Sequence, residues 1–205
     1  MVKTPARQIS IQEVSQTWYR RPQDLPNDVD QGGLEVTAGY KMERDDGTFS
    51  YAAHAVVVSI DPELGNVDLL KHIIVEDGGK LINPMIVDGQ VYGGAAQGIG
   101  TALYEEMPFD ENGQPMASTL AEYILPGATE VPDIEVQHME TPSPYSKFGQ
   151  KGIGEGGAIG SVAAIASAVN DALTPLGVEI TETPITPRRI LEAIAMAKQD
   201  GTPVS

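Results

Sequence analysis

Cysteine is absent from this chain of 205 residues. That excludes disulfides, thiolate catalysis and iron–sulfur ligation by the chain's own side chains. A redox role would need a cofactor held by other groups, or metal centres on partner chains. Basic residues are also scarce: 13 Lys and Arg against 29 Asp and Glu leave a net charge of −16. This balance repels nucleic acid and anionic membrane surfaces and favours solubility. No apolar run reaches the roughly 18 residues that a bilayer crossing needs. The first residues hold no apolar stretch of signal-peptide type. A cytoplasmic location is expected, with carriage to the periplasm by a partner subunit as the alternative. The three histidines, His54, His72 and His138, lack metal-ligand spacing and read as solvated or core residues, so no metal ligand is assigned.

What is present suits a folded protein with a real core, at 41% apolar residues. Residues 1–33 are expected to be irregular apart from a short helix near 9–19. Arg20-Arg21-Pro22, Pro26 and Gly32-Gly33 interrupt anything longer. A domain is expected over 34–205. Strands are predicted at 34–42, 49–61 and 66–76, with Asp45-Asp46-Gly47 as a turn and Asp61-Pro62-Glu63-Leu64-Gly65 closing a hairpin. Asn83-Pro84 is a capped helix start. The helix it opens, to about residue 106, holds Gly89, Gly93, Gly94, Gly98 and Gly100. Each glycine costs about 0.5–1 kcal/mol against alanine. That cost makes sense where helix-on-sheet packing is tight or where another backbone or a ligand comes close. Gln90 and Gln97 share one face of this helix, two turns apart.

Asp110-Glu111-Asn112-Gly113 is a hairpin turn, 134–139 alternates as a strand, and Thr141-Pro142-Ser143-Pro144 must be extended. Residues 158–173 form the best helix, with Ile159, Val162, Ala163, Ala166, Val169 and Leu173 as its apolar stripe. A last helix starts at Thr186-Pro187 and runs to about 198. The fold class is α+β: a mixed β-sheet with packed Gly/Ala-rich helices.

The most informative segment is Lys151-Gly152-Ile153-Gly154-Glu155-Gly156-Gly157. It places one carboxylate among glycines just before a helix, where backbone N–H groups lack partners. A dinucleotide fingerprint needs a strand immediately before it, and the preceding prolines forbid a central one. A P-loop is excluded because the Gly-Lys-Ser/Thr ending is missing. Two readings of Glu155 remain level on physical grounds. It is a general base reached through a glycine-lined pocket, or a helix-capping acid worth about 0.3–1 kcal/mol.

Several motifs in one order carry a resemblance. They are Gly78-Gly79-Lys80-Leu81-Ile82-Asn83-Pro84, Asp88-Gly89-Gln90-Val91-Tyr92-Gly93-Gly94-Ala95-Ala96-Gln97-Gly98-Ile99-Gly100, Ala102-Leu103-Tyr104-Glu105-Glu106, Tyr123-Ile124-Leu125-Pro126, Glu140-Thr141-Pro142-Ser143-Pro144 and the segment around Glu155. Together they resemble the C-terminal part of the molybdenum-binding subunit of the xanthine dehydrogenase/aldehyde oxidase family of molybdenum hydroxylases. The likeness runs from about residue 33 to 194. It implies the C-terminal half of a molybdenum-cofactor-binding domain, and a pterin-held molybdenum cofactor, the cytosine dinucleotide form among the options. It implies Glu155 as the base that takes a proton from the metal-bound hydroxyl, with the raised pKa expected beside a dry anionic cofactor. Gln90 would hydrogen-bond the pterin, Gln97 less directly, and the backbone of Lys151, Gly152, Ile153 and Gly154 would face the cofactor.

The implied reaction is hydroxylation of an aldehyde or N-heterocycle. The implied partners are the remaining molybdenum-binding segment, an iron–sulfur (2Fe-2S) subunit and an FAD subunit. The Glu155-Gly156-Gly157 form departs from the Glu-Ser-Pro form of the carbon-monoxide oxidisers, which favours an organic substrate. A non-catalytic structural piece is the alternative, and a nucleotide-binding module the weaker one. Because the other cofactor loops lie on other sequence, the chain expressed alone is expected to hold no stoichiometric molybdenum. Elemental analysis of the purified chain checks this.

Overall fold

The computed structural model describes residues 2–3, 8–29, 32–41 and 48–199. The expected turn at Asp45-Asp46-Gly47 lies outside them. The chain divides into two compact units, 1–42 and 43–205.

In the first unit a two-residue strand β1 (Val2–Lys3) pairs antiparallel with β2 (Gln8–Ile9). Helix α1 (Ile11–Arg20) follows, near the expected position, with Ser10 as its cap: the hydroxyl accepts from the Glu13 N–H at 3.0 Å. None of its residues is buried. The strand expected at 34–42 does not form over the described residues 34–41, which are irregular. Alternation alone cannot hold a strand whose N–H and C=O groups find no neighbouring ladder, and Val36 is 92% exposed.

The second unit is a three-stranded mixed sheet covered on one face by helices. Strand β3 (Tyr51–Ile60) and β4 (Val67–Asp77) form the expected hairpin, joined through the Asp61 loop. The Asp61 carboxylate accepts from the Glu63 and Leu64 N–H groups at 2.8 and 3.0 Å. β4 then pairs parallel with β5 (Ile134–Met139). The antiparallel register slips between Val57 and Val58, so Leu70 is an extra residue on β4. A bulge of this kind reverses which side chains face the core. Val67 and Leu69 point inward before it, and His72, Ile74 and Glu76 after it.

Two helices carry the glycines. Helix α2 (Pro84–Leu103) starts where expected, with the Asn83 side chain accepting from the Ile86 N–H. Helix α3 spans Gly156–Leu173. A Cβ on Gly157 would lie 2.4 Å from the Val91 carbonyl. One on Gly94 would lie 2.9 Å from the Ala158 nitrogen, and one on Gly98 2.6 Å from Ser161 Cβ. Gly94 meets 157–158 and Gly98 meets 158–161, so the helices run in the same direction in backbone contact. The glycines thus serve helix-on-helix packing, while Gly89 and Gly93 face open space.

The buried face of α3 is Gly157, Ser161, Ile165, Val169 and Leu173. This corrects the expected stripe: Ile159 is 71% exposed. The first two turns of α3 turn their small residues, Gly157 and Ser161, inward, and the later turns Ile165, Val169 and Leu173. Extended to Leu176, α3 spans 21 residues, holds a stretch of mean hydropathy 1.3, and is long and apolar enough to cross a membrane by length and composition. That corrects the expectation that no run is long enough; one face of the helix packs on α2 and β3, and 22% of that stretch is buried.

The main core gathers Ile99, Leu103, Ile165, Val169, Leu173 and Ile185 with Ile190 and Ile194 of helix α4 (Pro187–Gln199). A second cluster of Ile74, Val87, Val91, Ala95 and Ile134 lies between sheet and α2.

The helix contact makes opposite predictions for two glycines. Gly157→Ala must push apart two backbones and is expected to cost about 1–3 kcal/mol. Gly93→Ala meets nothing and is expected to gain about 0.5–1 kcal/mol. Urea unfolding of both variants checks the difference.

Candidate functional site

Glu155 sits at the position preceding α3, and its side chain makes no capping hydrogen bond. It is exposed and lines an open cleft of about 490 Å³. The walls of the cleft are the first residues of β3, Glu76 of β4, the loop 152–156 and the first turn of α3. Of the residues singled out from sequence, Gly152, Ile153, Gly154 and Glu155 come together here. Lys151 stands at the root of the loop. Gln90 and Gln97 lie on an exposed face of α2 and do not line this cleft. Gly152 and Gly154 have no atom within 4 Å of where a Cβ would stand. Internal packing does not require glycine there, and their backbone is left bare toward the cleft.

What anchors the loop is a buried acid that sequence reading passed over. Asp77, at the end of β4, is fully buried. Its carboxylate accepts from the Gly79 N–H at 2.8 Å, the Thr141 N–H at 2.9 Å, the Tyr51 hydroxyl at 3.0 Å and the Lys151 ammonium at 3.0 Å. Burial alone would raise its pKa. The hydrogen bonds outweigh burial and hold it well below the usual carboxylate range. Lys151 Nζ also lies 4.8 Å from the centre of the Tyr51 ring. The Lys151 N–H donates to the Gly78 carbonyl at 2.8 Å, and the Lys80 N–H to the Gly149 carbonyl at 2.9 Å. At Gly79, φ is +68° and a Cβ would lie 2.3 Å from the Gly149 carbonyl, so only glycine fits this crossing. A sequence signal existed: Glu76-Asp77-Gly78-Gly79 repeats the acid-before-glycine pattern of the Glu155 segment.

The histidines are not scattered. His54 and His72 lie side by side with ring centroids 5.6 Å apart and planes tilted by 53°, and His54 Nδ1 is 3.4 Å from His72 Nε2. Ser161 Oγ is 3.3 and 3.4 Å from those two nitrogens and donates to the Gly157 carbonyl at 2.6 Å. Burial pushes the His72 pKa down to about 4, helped by its neighbour His54, and burial lowers that of His54 as well. The third, His138, lies beside Glu76 across the parallel ladder and bonds Asp88 through Nε2 at 2.6 Å. Burial raises the Glu76 carboxyl above its ordinary value, and His138 offsets part of this. Among the described residues no three His, Asp or Glu side chains converge as a metal site.

Comparison with known proteins gives this geometry its context. Residues 1–132 match the family model of the molybdopterin cofactor-binding domain, and the chain belongs to that family, which is found in molybdenum hydroxylases. The Glu155 segment lies beyond the matched residues. The nicotine 6-hydroxylase large subunit of Paenarthrobacter nicotinovorans is 39% identical over 185 residues, 90% of this chain and 22% of that protein. The carbon monoxide dehydrogenase large chain of Hydrogenophaga pseudoflava is 34% identical over 179 residues, 87% of this chain and 21% of that protein. The crystal structure of quinoline 2-oxidoreductase from Pseudomonas putida 86 superposes with a TM-score of 0.75 at 42% identity, over 87% of this chain and 22% of that one. The chain therefore spans about a fifth of the length of the relatives it matches.

The Asp77 cluster can be tested by removing the acid. Asp77→Ala leaves the Lys151 ammonium buried without its partner, and a loss of about 3–5 kcal/mol is expected near neutral pH. A depressed carboxylate stabilises above its unfolded pKa and ceases to as pH falls through its folded value. The gap between wild type and Asp77→Ala should therefore be full at neutrality and shrink below about pH 4. Denaturant titrations across that range check both the size and the sign.

Proposed function

We propose that this chain supplies the catalytic base, Glu155, and part of the pterin cradle to a molybdenum hydroxylase acting on an aldehyde or N-heterocycle. The observation that carries the reading is the state of the Glu155 carboxylate. It stands at a helix start, declines the capping bond open to it, and faces a cleft floored by bare glycine backbone. This favours the base over the cap. Gly152 and Gly154 leave room for close approach of an anionic cofactor, and the start of α3 carries the positive end of the helix dipole.

When bound, a molybdopterin cofactor would supply the oxygen and take up the electron pair. The chain's own part is proton handling and positioning. Glu155 receives one proton on a carboxylate oxygen as the substrate carbon is attacked. The loop 152–154 holds the cofactor edge with backbone groups. Lys151 contributes through its backbone, because its ammonium is committed to Asp77. The Gln90 side chain, on the exposed part of α2 that runs past the start of α3, can donate and accept together, as a pterin edge requires. Gln97, two turns on, plays the lesser part.

An organic substrate is supported by the relatives named for nicotine and quinoline, both nitrogen heterocycles. The cytosine dinucleotide form of the cofactor belongs to the same reading. So do the iron–sulfur and FAD centres on partner chains and a second molybdenum-binding segment.

Glu155→Gln in the assembled enzyme removes the base while keeping size and hydrogen-bonding capacity. Turnover should fall about 10²–10⁴-fold, the usual contribution of a positioned base, with molybdenum content unchanged. Steady-state kinetics with metal analysis checks this, and unchanged turnover would sink the assignment.

A further inference from the structure

Glu76 is the group that the proposed chemistry leaves unused. It is 2% exposed, lines the same cleft as Glu155, and neither of its carboxylate oxygens has a hydrogen-bond partner. A buried, unpartnered carboxyl is costly. Its position is tied to the base: a Cβ on Gly156, the residue after Glu155, would stand 3.2 Å from Glu76 Oε2. On its other side, Glu76 Oε1 lies 3.4 Å from His138 Nδ1, which is itself without a hydrogen-bond partner. His138 Nε2 lies 2.6 Å from Asp88 Oδ1, and the Asp88 side chain is 47% exposed. A carboxyl in the cleft, an imidazole and a carboxylate at the surface thus stand in line, on β4, β5 and α2.

We propose that Glu76, His138 and Asp88 form a proton exit that carries the proton taken by Glu155 from the cleft to solvent. This rests on Glu155 being the base. The proton leaves the Glu155 carboxyl for a Glu76 oxygen, across the cleft by way of a water. Glu76 then donates it to His138 Nδ1 as His138 gives its Nε2 proton to Asp88, which releases it to solvent. At Glu76 an O–H bond breaks as an N–H bond forms at His138 Nδ1, the Nε2–H bond breaks as an O–H bond forms on Asp88, and that proton passes to water; no electrons move.

The chemistry of the three groups suits the task. The Glu76 carboxyl is held above its ordinary value by burial, so it carries a proton more readily than an exposed acid. Imidazole passes a proton between its two nitrogens without moving far. The 3.4 Å gap between Glu76 and His138 is longer than a hydrogen bond, and a side-chain rotation that closes it opens the route. The charged and titratable groups facing Glu76 are His138 from β5, Asp88 from α2, His54 from β3, and Glu155 at the start of α3.

The test uses the assembled enzyme. Glu76→Gln and His138→Gln are expected to lower turnover about 10- to 100-fold, with molybdenum content and KM unchanged and the solvent deuterium isotope effect increased. Added imidazole or formate should restore part of the rate by carrying the proton instead. Asp88→Asn, at a half-exposed position, should show the same pattern more weakly. Independently of turnover, an infrared pH titration should show a buried carboxylic acid band that Glu76→Gln removes and His138→Gln shifts.

Wild-type turnover in Glu76→Gln, or slow turnover that no small acid or base rescues, would overturn the exit and leave Glu76 a structural residue. If Glu155→Gln is inactive while Glu76→Gln is normal, the exit alone fails. If Glu155→Gln is fully active, the exit loses its proton source and both readings fall.

Discussion

The second unit is organised by one buried negative charge. Asp77 cannot sit at zero exposure without donors around it, and the chain supplies four: Gly79 from the adjoining turn, and Tyr51, Thr141 and Lys151 from distant segments. Each lies on a different stretch of backbone, so satisfying one carboxylate joins the first strand of the hairpin, the turn after β4, the segment after β5 and the root of the Glu155 loop. A neutral core residue at 77 would pack, but it would not specify where Lys151 goes. The loop is fixed at one end by this pair and at the other by α3, and so it can remain glycine-rich between them without collapsing into the cleft.

The second fixed end depends on backbone contact between α2 and α3. Gly94, Gly98 and Gly157 let the helices approach until main-chain atoms nearly touch. At that distance no side-chain layer remains to absorb a rotation, so the direction in which α3 starts is set by α2. Since α2 is pinned by the Asn83 cap and by Val87, Val91 and Ala95 against Ile74 and Ile134, the sheet and the start of α3 form one rigid frame. Glu155 is therefore placed by packing rather than by a capping bond, which leaves its carboxylate free for other partners.

Much of this was legible in sequence, for reasons that can be named. Asn83-Pro84 and Thr186-Pro187 announce helix starts because cap and proline act locally. The Asp61 turn shows for the same reason. The Glu155 segment stood out because a lone acid among glycines is rare unless access matters. What could not be read depends on distant neighbours. The 34–41 segment alternates but has no ladder to join. The Leu70 bulge reverses the facing of His72, Ile74 and Glu76, and nothing in local propensity marks it. The inward face of α3 is set by Gly157 and Ser161, which look like surface residues beside Ile159. His138 met Glu76 and Asp88 only because β5 pairs parallel to β4, a topological fact without a local signature.

The exposed surface explains why the cleft is open. Ile159, at its rim, is 71% exposed, and Met85 and Ile86, in the first turn of α2, are 76% and 58% exposed. Around them Gly89, Gly93, Gly152 and Gly154 present backbone with nothing against it. Helix formers would stabilise α2 at the two exposed glycine positions if water were their only neighbour. Bare glycine in α2 and exposed apolar side chains in its first turn are each costly in water. A frame made rigid by Asp77 and by the α2–α3 contact carries this surface. It holds the Glu155 carboxylate and the backbone of 152–154 between two fixed ends, so their positions are set by packing that is already complete within the unit.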